Sequence, residues 1–350
     1  MQCSPSIGRT RSKEQVRSHL AAIHRLVGRT PLLDLACGVR GRRVHVFAKN
    51  EIANFTGSIK DRMALHILED AHARGTIQPG DTISEATSGN TGISFAAIGR
   101  ALGHPVRIFM PDWMSRERVL VSEALGAEVI PVSSEDGGFV GSIAKADDFG
   151  AKVDRVFLPH QFGNSQNIDA HYRTTGPELL DQLARVALEP SAFVAGVGTG
   201  GTVMGVARLL RERVPGITIH PVEPANSPTL REGRRVGKHR IQGISDEFVP
   251  SIVQLSELDE IVDVWDGDAI LMAQKLARTA GLAVGISAGA NIVAALRTAV
   301  ATGPDSVVAT VIPDSNKKYL STDLCRQEPA RDDYLTPHVE ILGWRVVAGG

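Results

Sequence analysis

Cysteine is almost missing from this chain: Cys3, Cys37 and Cys325 are the only ones among 350 residues. No two of them share a C-x-x-C spacing, which removes a disulfide framework and a cysteine-held metal from consideration. Net charge is nearly missing as well, since 38 Lys and Arg against 39 Asp and Glu leave −1. Such a chain carries no electrostatic footprint for nucleic acid or an anionic membrane surface. No apolar run is long enough to span a bilayer, and the N-terminus has no apolar stretch followed by a cleavage site. Repeats and low-complexity tracts are absent. The expectation is a protein of the reducing cytoplasm with no metal, no nucleic-acid partner and no membrane partner. One local exception is the basic run Arg231 to Arg240, expected as a solvated surface loop, with an anion-facing loop as the sharper alternative.

What is present is a globular composition, 43% hydrophobic with 35 glycines, in a chain too long for one small core. From Val44 onward short β-branched runs alternate with amphipathic stretches. Strands are expected at Val44–Ala48, Thr82–Glu85, Val106–Met110, Glu128–Val132, Arg155–Leu158, Ala192–Ala195, Ile217–Val222 and Ser306–Ile312. Helices are expected between most of them, among them Ile93–Leu102, Arg116–Leu125 and Thr202–Val214. This alternation implies an α/β fold whose parallel sheets carry helices on both faces. Residues 1–25 read as a partly helical extension, and residues 326–350 as an appendage with a possible strand near Val339–Leu342.

The run Asn54 to Arg62 predicts a helix start. Ser58 stands as N-cap with Asp61 three residues later in a capping-box pattern, and the stripe continues through Met63, Ala64, Leu65, Ile67 and Leu68. Lys60 therefore falls in the first turn, where the macrodipole disfavours an ammonium by a few tenths to ~1 kcal/mol. That suits Schiff-base chemistry, because only the free amine is a nucleophile. An ordinary solvated lysine is the plain alternative.

Three glycine-rich junctions follow, each between an expected strand and helix, where open α/β folds place their ligands. At Ser84 to Gly92, small polar residues meet a helix N-terminus and offer a carboxylate or phosphate site; simple capping by Ser88 or Asn90 is the alternative. At Gly196 to Thr202, glycines let the backbone approach an anion, with hydroxyls from Thr199 and Thr202. Its spacing also satisfies G-x-G-x-x-G, and Glu223 ends the next strand, so a dinucleotide site competes. No Gly-Lys-Ser/Thr follows, which excludes a P-loop. The third junction, Gly285 to Ala290, lies between an expected strand Leu282–Val284 and helix Asn291–Ala301; alone it is weak, and Ser287 could simply be a cap.

Together and in this order, these segments resemble the cysteine synthase / cystathionine β-synthase family, the fold-type II pyridoxal-phosphate β-lyases. The resemblance runs from Gly28-Arg29-Thr30-Pro31-Leu32 to Pro313-Asp314-Ser315 and Tyr319-Leu320-Ser321-Thr322. It implies two open, mostly parallel twisted sheets: a smaller mobile domain at 46–164, and a larger cofactor domain formed by 26–45 with 165–325. It implies pyridoxal 5′-phosphate as cofactor, with Lys60 as the lysine of the internal aldimine and Asn90 facing the 3′ oxygen. Gly198, Thr199, Gly200, Gly201 and Thr202 match the phosphate cradle, which overrules the dinucleotide reading, and Ser287 matches the hydroxyl at the pyridine nitrogen. Thr87, Ser88, Gly89 and Thr91 match the loop that holds the substrate's α-carboxylate; Gln161 lies near that carboxylate, and Gly243 opens a further substrate segment. The family is generally homodimeric.

The implied reaction is β-substitution on an activated L-serine, O-acetylserine or O-phosphoserine, through an aminoacrylate. A sulfur nucleophile then gives L-cysteine or an S-substituted cysteine. Lys60 is the natural base for the Cα proton, and a neutral serine at the ring nitrogen makes a moderate electron sink. Cystathionine β-synthase-like or cysteine desulfhydrase activity is the enzymatic alternative; a catalytically silent cofactor-binding paralogue is the alternative of another class. Three departures from the family bear on substrate choice. Gly243-Ile244-Ser245-Asp246-Glu247-Phe248 replaces small residues by two carboxylates, which would repel an anionic group if they face the pocket. Asn164-Ser165-Gln166-Asn167 replaces N-P-A-N, and Trp113 stands where a small polar residue is usual.

Overall fold

A computed structural model describes residues 11–347. Residues 1–10 of the expected extension, with Cys3, and 348–350 of the expected appendage lie outside the described residues. Eleven strands are present among them: β1 Leu32–Val39, β2 Arg42–Asn50, β3 Thr82–Ala86, β4 Val106–Pro111, β5 Glu128–Val132, β6 Val156–Phe157, β7 Ala192–Gly196, β8 Thr218–Pro224, β9 Val262–Val264, β10 Val308–Ile312 and β11 Val339–Val346. They form two sheets, of order β11-β1-β2-β10-β7-β8-β9 and β5-β4-β3-β6. The smaller is parallel throughout. The larger is parallel from β2 to β9 and antiparallel at the β1 end.

Each sheet buries both faces, as parallel sheets must. One face of the larger sheet packs Leu35, Val46 and Val194 against Ile270 and Leu296 of helices Asp266–Ala280 and Ile286–Thr302. Its other face packs Phe47 and Phe193 against Leu179 and Leu210 of helices Thr175–Ala184 and Gly201–Arg213. In the smaller sheet, Ile83 and Ile108 face Met63, Leu68 and Phe95 of helices Lys60–Arg74 and Asn90–Leu102. Helix Gly138–Lys152 covers the opposite side through Ala146.

Four sequence expectations are revised. The segment Leu282–Val284 is not a strand: Val284 makes one isolated bridge with Ser315, and the helix begins at Ile286 rather than Asn291. Ser58 does not cap: its backbone bridges Asp314, and its hydroxyl has no partner. Asp61 turns inward, accepting from Thr56 N at 2.6 Å, Thr56 Oγ1 at 2.6 Å and Ser94 Oγ at 2.6 Å. A genuine capping box closes the N-terminal helix Lys13–Ile23 instead, between Ser12 and Gln15. Finally, the strand at the C-terminal end runs to Val346 and pairs antiparallel with β1, so residues expected as an appendage supply the edge of the larger sheet.

Candidate active site

The chain brings four helix N-termini to one place. Helices starting at Lys60, Asn90, Gly201 and Ile286 have Ile59, Gly89, Gly200 and Gly285 at their N-cap positions, and none has a side-chain cap bond. Uncapped first turns leave backbone N–H donors unsatisfied, and together they make an anion-seeking cluster. This also disposes of simple capping by Ser88, Asn90 or Ser287. Around the cluster lies a concave pocket lined by residues of all four first turns. Every expected site residue lines it except Gly89 and Gly201. Those two remain in their loops, but the faces where a side chain would stand are filled by Arg118 and Asn167.

Lys60 sits in the first turn of its helix, partly buried in the pocket. Burial lowers its ammonium pKa, opposed by the carboxylates of Asp246 and Asp314. Desolvation, rather than the helix dipole alone, is the physical reason for a reactive amine. Beside it Asn90 Nδ2 donates to Asp314 Oδ2 at 2.7 Å, and Tyr319 OH donates to the same oxygen at 2.7 Å. Asn90 is thereby held with its own Oδ1 buried and unpartnered.

The loop before the second of these helices is braced from within. Thr87 Oγ1 accepts from Gly89 N at 2.9 Å, and Thr91 Oγ1 donates to Gln161 Oε1 at 2.6 Å. Gln161 Nε2 donates to Ala86 O at 2.7 Å, and its backbone N–H donates to Glu85 Oε2 at 3.1 Å. Burial pushes the Glu85 carboxyl up to about 8. The glycine loop is braced by Asn167, whose Nδ2 donates to Thr199 Oγ1 and to Gln161 O, both at 2.9 Å. Thr202 Oγ1 meets His171 Nε2 at 3.2 Å. Burial, with the nearby charges of Arg62 and Lys60, holds that imidazole well below its ordinary pKa, so it is neutral. Ser287 is buried in the first turn of the last helix.

Asp246 lines the pocket, whereas Glu247 turns to Arg235 at 2.8 Å. Three arginines of the basic run are spent on the chain's own carboxylates: Arg231 pairs with Asp263, Arg235 with Glu247, and Arg240 with Glu328 at 2.7 Å. Glu223 accepts from Leu230 N at 2.6 Å, leaving it bound to its own chain rather than to a ribose. Arg118 and Tyr319 also line the pocket, and Asp314 stands behind it as the acceptor for Asn90 and Tyr319; none of the three is singled out as a site residue by the sequence. Among the described residues, no group of three or more His, Cys, Asp or Glu is placed to hold a metal ion, and no helix is long and apolar enough to cross a membrane.

The fold and site define an α/β protein with a desolvated lysine facing a glycine-rich loop, the arrangement of an enzyme that holds its ligand at helix N-termini. The pyridoxal-phosphate dependent enzyme family matches residues 23–314, and the chain belongs to it. A hydrogen sulfide-producing enzyme of Fusobacterium nucleatum is 50% identical, with a TM-score of 0.91 over 95% of this chain and 100% of that one. A probable cysteine synthase of Bacillus subtilis is 40% identical over 299 residues, 85% of this chain and 96% of its own. An O-acetylserine dependent cystathionine β-synthase of Helicobacter pylori is 34% identical, with a TM-score of 0.79 over 86% and 97% of the two chains.

The residues present fit the cofactor. Gly200 has a left-handed φ of +87°, and a side chain there would strike Val253. One at Gly198 would strike the Gly243 carbonyl, so the cradle between these loops is open only to backbone N–H groups and a ligand. The orphaned Asn90 Oδ1 is the polar atom of the lining that such a ligand would approach.

Proposed function

We propose that this enzyme replaces the Cβ substituent of an activated L-serine by a sulfur nucleophile, giving L-cysteine or an S-substituted cysteine. The observation that carries the reading is the convergence of Lys60, the 87–91 loop and Ser287 on one pocket. Residues 198–202 would hold the cofactor phosphate, Asn90 its ring oxygen side and Ser287 its ring nitrogen, while Lys60 would carry its aldehyde. Bound there, the cofactor supplies an electron sink for charge developing at Cα. Thr87, Ser88, Thr91 and Gln161 seat the α-carboxylate, which fixes Cα over Lys60. The Lys60 amine takes the Cα proton as the Cβ–oxygen bond breaks and its electron pair leaves with the departing anion. After the nucleophile bonds to Cβ, the same amine returns the proton. A homodimer in the cytoplasm belongs to the same reading; sedimentation of the purified holoenzyme tests the dimer.

Asp246 refines the substrate. Burial pushes its carboxyl up to about 6, against the pull of Lys60, so above that pH it is an anion in the pocket. An acyl-activated serine suits this better than a phosphorylated one. Use of O-phosphoserine should fall as pH rises through about 6. In Asp246→Asn it should rise about ten-fold at pH 8, the equivalent of about 1.4 kcal/mol of repulsion removed. The variant serves as its own control for the titration of the phosphate. Equal O-phosphoserine rates in the two proteins would show that Asp246 plays no part in this choice.

The same carboxylate favours a second reading, cysteine desulfhydrase activity, because it repels hydrosulfide and can accept a proton from water. The sulfide-producing relative at 50% identity supports it. The deciding assay gives the holoenzyme O-acetylserine with sulfide, and separately L-cysteine alone. Cysteine formed in the first supports synthesis, and sulfide released in the second supports elimination. Turnover of neither, with cofactor bound, would leave only a silent binding protein.

A further inference from the structure

Arg118 stands on helix Arg116–Ala124, is 2% exposed, and lines the pocket without any assigned role. Its partners among the described residues are all neutral. Nη1 donates to Ser115 Oγ at 3.3 Å and to Gln242 Oε1, and the guanidinium lies 4.6 Å above the centre of the Tyr319 ring. Its Nε is buried with no partner at all. A guanidinium is charged at every working pH, and a buried charge without a counter-ion is costly. Such a group is retained where an anion arrives to meet it.

The position of Nε says which anion. Gly89, at the middle of the 87–91 loop, has φ +152°, and a side-chain carbon there would collide with Cδ and Nε of Arg118. The orphan donor therefore lies beside the loop's central α-carbon. No other Lys, Arg or His of the lining shares this place; among the described residues Lys60 is the only further cation in the pocket. We propose that Arg118 binds the substrate α-carboxylate, adding a charge-assisted hydrogen bond from Nε to the neutral donors of Thr87, Ser88 and Thr91. The presence of glycine at position 89 then has a direct purpose, since it lets the guanidinium approach the loop.

This inference rests on the reading that the 87–91 loop receives a carboxylate, and the test separates the two. The probes are L-alanine and L-alaninamide, which differ in the carboxylate and carry no leaving group, titrated into holoenzyme and followed by cofactor absorbance. The parent should prefer L-alanine. In Arg118→Met, L-alanine should bind about 10- to 100-fold more weakly, the usual worth of a hydrogen bond to a charged group, while L-alaninamide changes less than about two-fold. Cofactor content and melting temperature report whether the variant folds. If it does not, Arg118→Lys decides, with the same selective loss expected at several-fold. Equal losses for the two probes, or none, would overturn the role of Arg118. A loaded parent that shows no preference for the carboxylate would instead overturn the loop reading, and the inference with it.

Discussion

Lys60→Ala protein is expected to lose activity by about a thousand-fold or more and to carry no covalently trapped cofactor. Borohydride reduction followed by mass spectrometry should find a pyridoxyl adduct on Lys60 in the parent and none in the variant. The magnitude follows from two losses at once. A general base is worth about 10²- to 10⁴-fold by itself, and the tether that presents the cofactor disappears with it. Among the described residues no other lysine lines the pocket, so rescue from within the site is not expected. The fold should survive, because the Lys60 side chain makes no hydrogen bond among the described residues and its helix is secured elsewhere. An adduct on another residue, or normal turnover, would remove Lys60 from the site.

The second large effect lies two residues along. Arg62 is buried against Glu51, with Nε to Oε2 at 2.6 Å and Nη2 to Oε1 at 2.9 Å. It also grips Glu178, with Nη1 to Oε1 at 2.7 Å and Nη2 to Oε2 at 2.8 Å. Lys49, itself fully buried, reaches Glu178 Oε2 at 2.8 Å, and Thr30 Oγ1 donates to Glu51 Oε1 at 2.6 Å. Two cations and two carboxylates thus balance inside the protein, joining β2 and helix Thr175–Ala184 to the first turn that carries Lys60. Arg62→Met leaves the buried Glu51 and the part-buried Glu178 facing one lysine and should cost about 3–5 kcal/mol. It lowers the denaturant midpoint and weakens cofactor retention together. Acid sensitivity should change in a defined direction. Burial pushes the Glu178 carboxyl up, but Arg62 and Lys49 outweigh it and hold the group at about 2. Its stabilising contribution is therefore complete above the unfolded value near 4.5 and is lost as pH falls toward 2. Without Arg62 much of that contribution is gone at every pH, so the acid-unfolding midpoint should move upward. An unchanged midpoint would show that the network adds nothing net.

Much of this was legible in the sequence, for reasons that particular residues make plain. The α/β alternation was readable because strands buried on both faces are short apolar runs, as in β4 and β10. Lys60 in a first turn was readable because helix start signals are local. The cap itself was not. Ser58 is drawn away by Asp314, a neighbour only in three dimensions. β1 escaped notice because Asp34 interrupts its apolar run; the structure pairs that buried carboxylate with His45 at 2.7 Å and Arg345 at 3.0 Å. Arg118 gave no local sign either: an arginine in a charged helix reads as solvated, and its environment comes from Gln242 and Tyr319, more than a hundred positions away. Asp246 was flagged only as a departure from a family pattern. Its facing the pocket, and Glu247's turning to Arg235, depended on how the loop folds.

The four helices that open onto the pocket without side-chain caps have one more consequence. Their first turns are finished by whatever occupies the site, so cofactor and substrate act as missing pieces of secondary structure. The folded lifetime of this protein should then track the supply of its vitamin-derived cofactor. A cell short of that nutrient would lose the enzyme to proteolysis as well as to idleness, and restoring the nutrient would slow that loss without any change in the rate of synthesis.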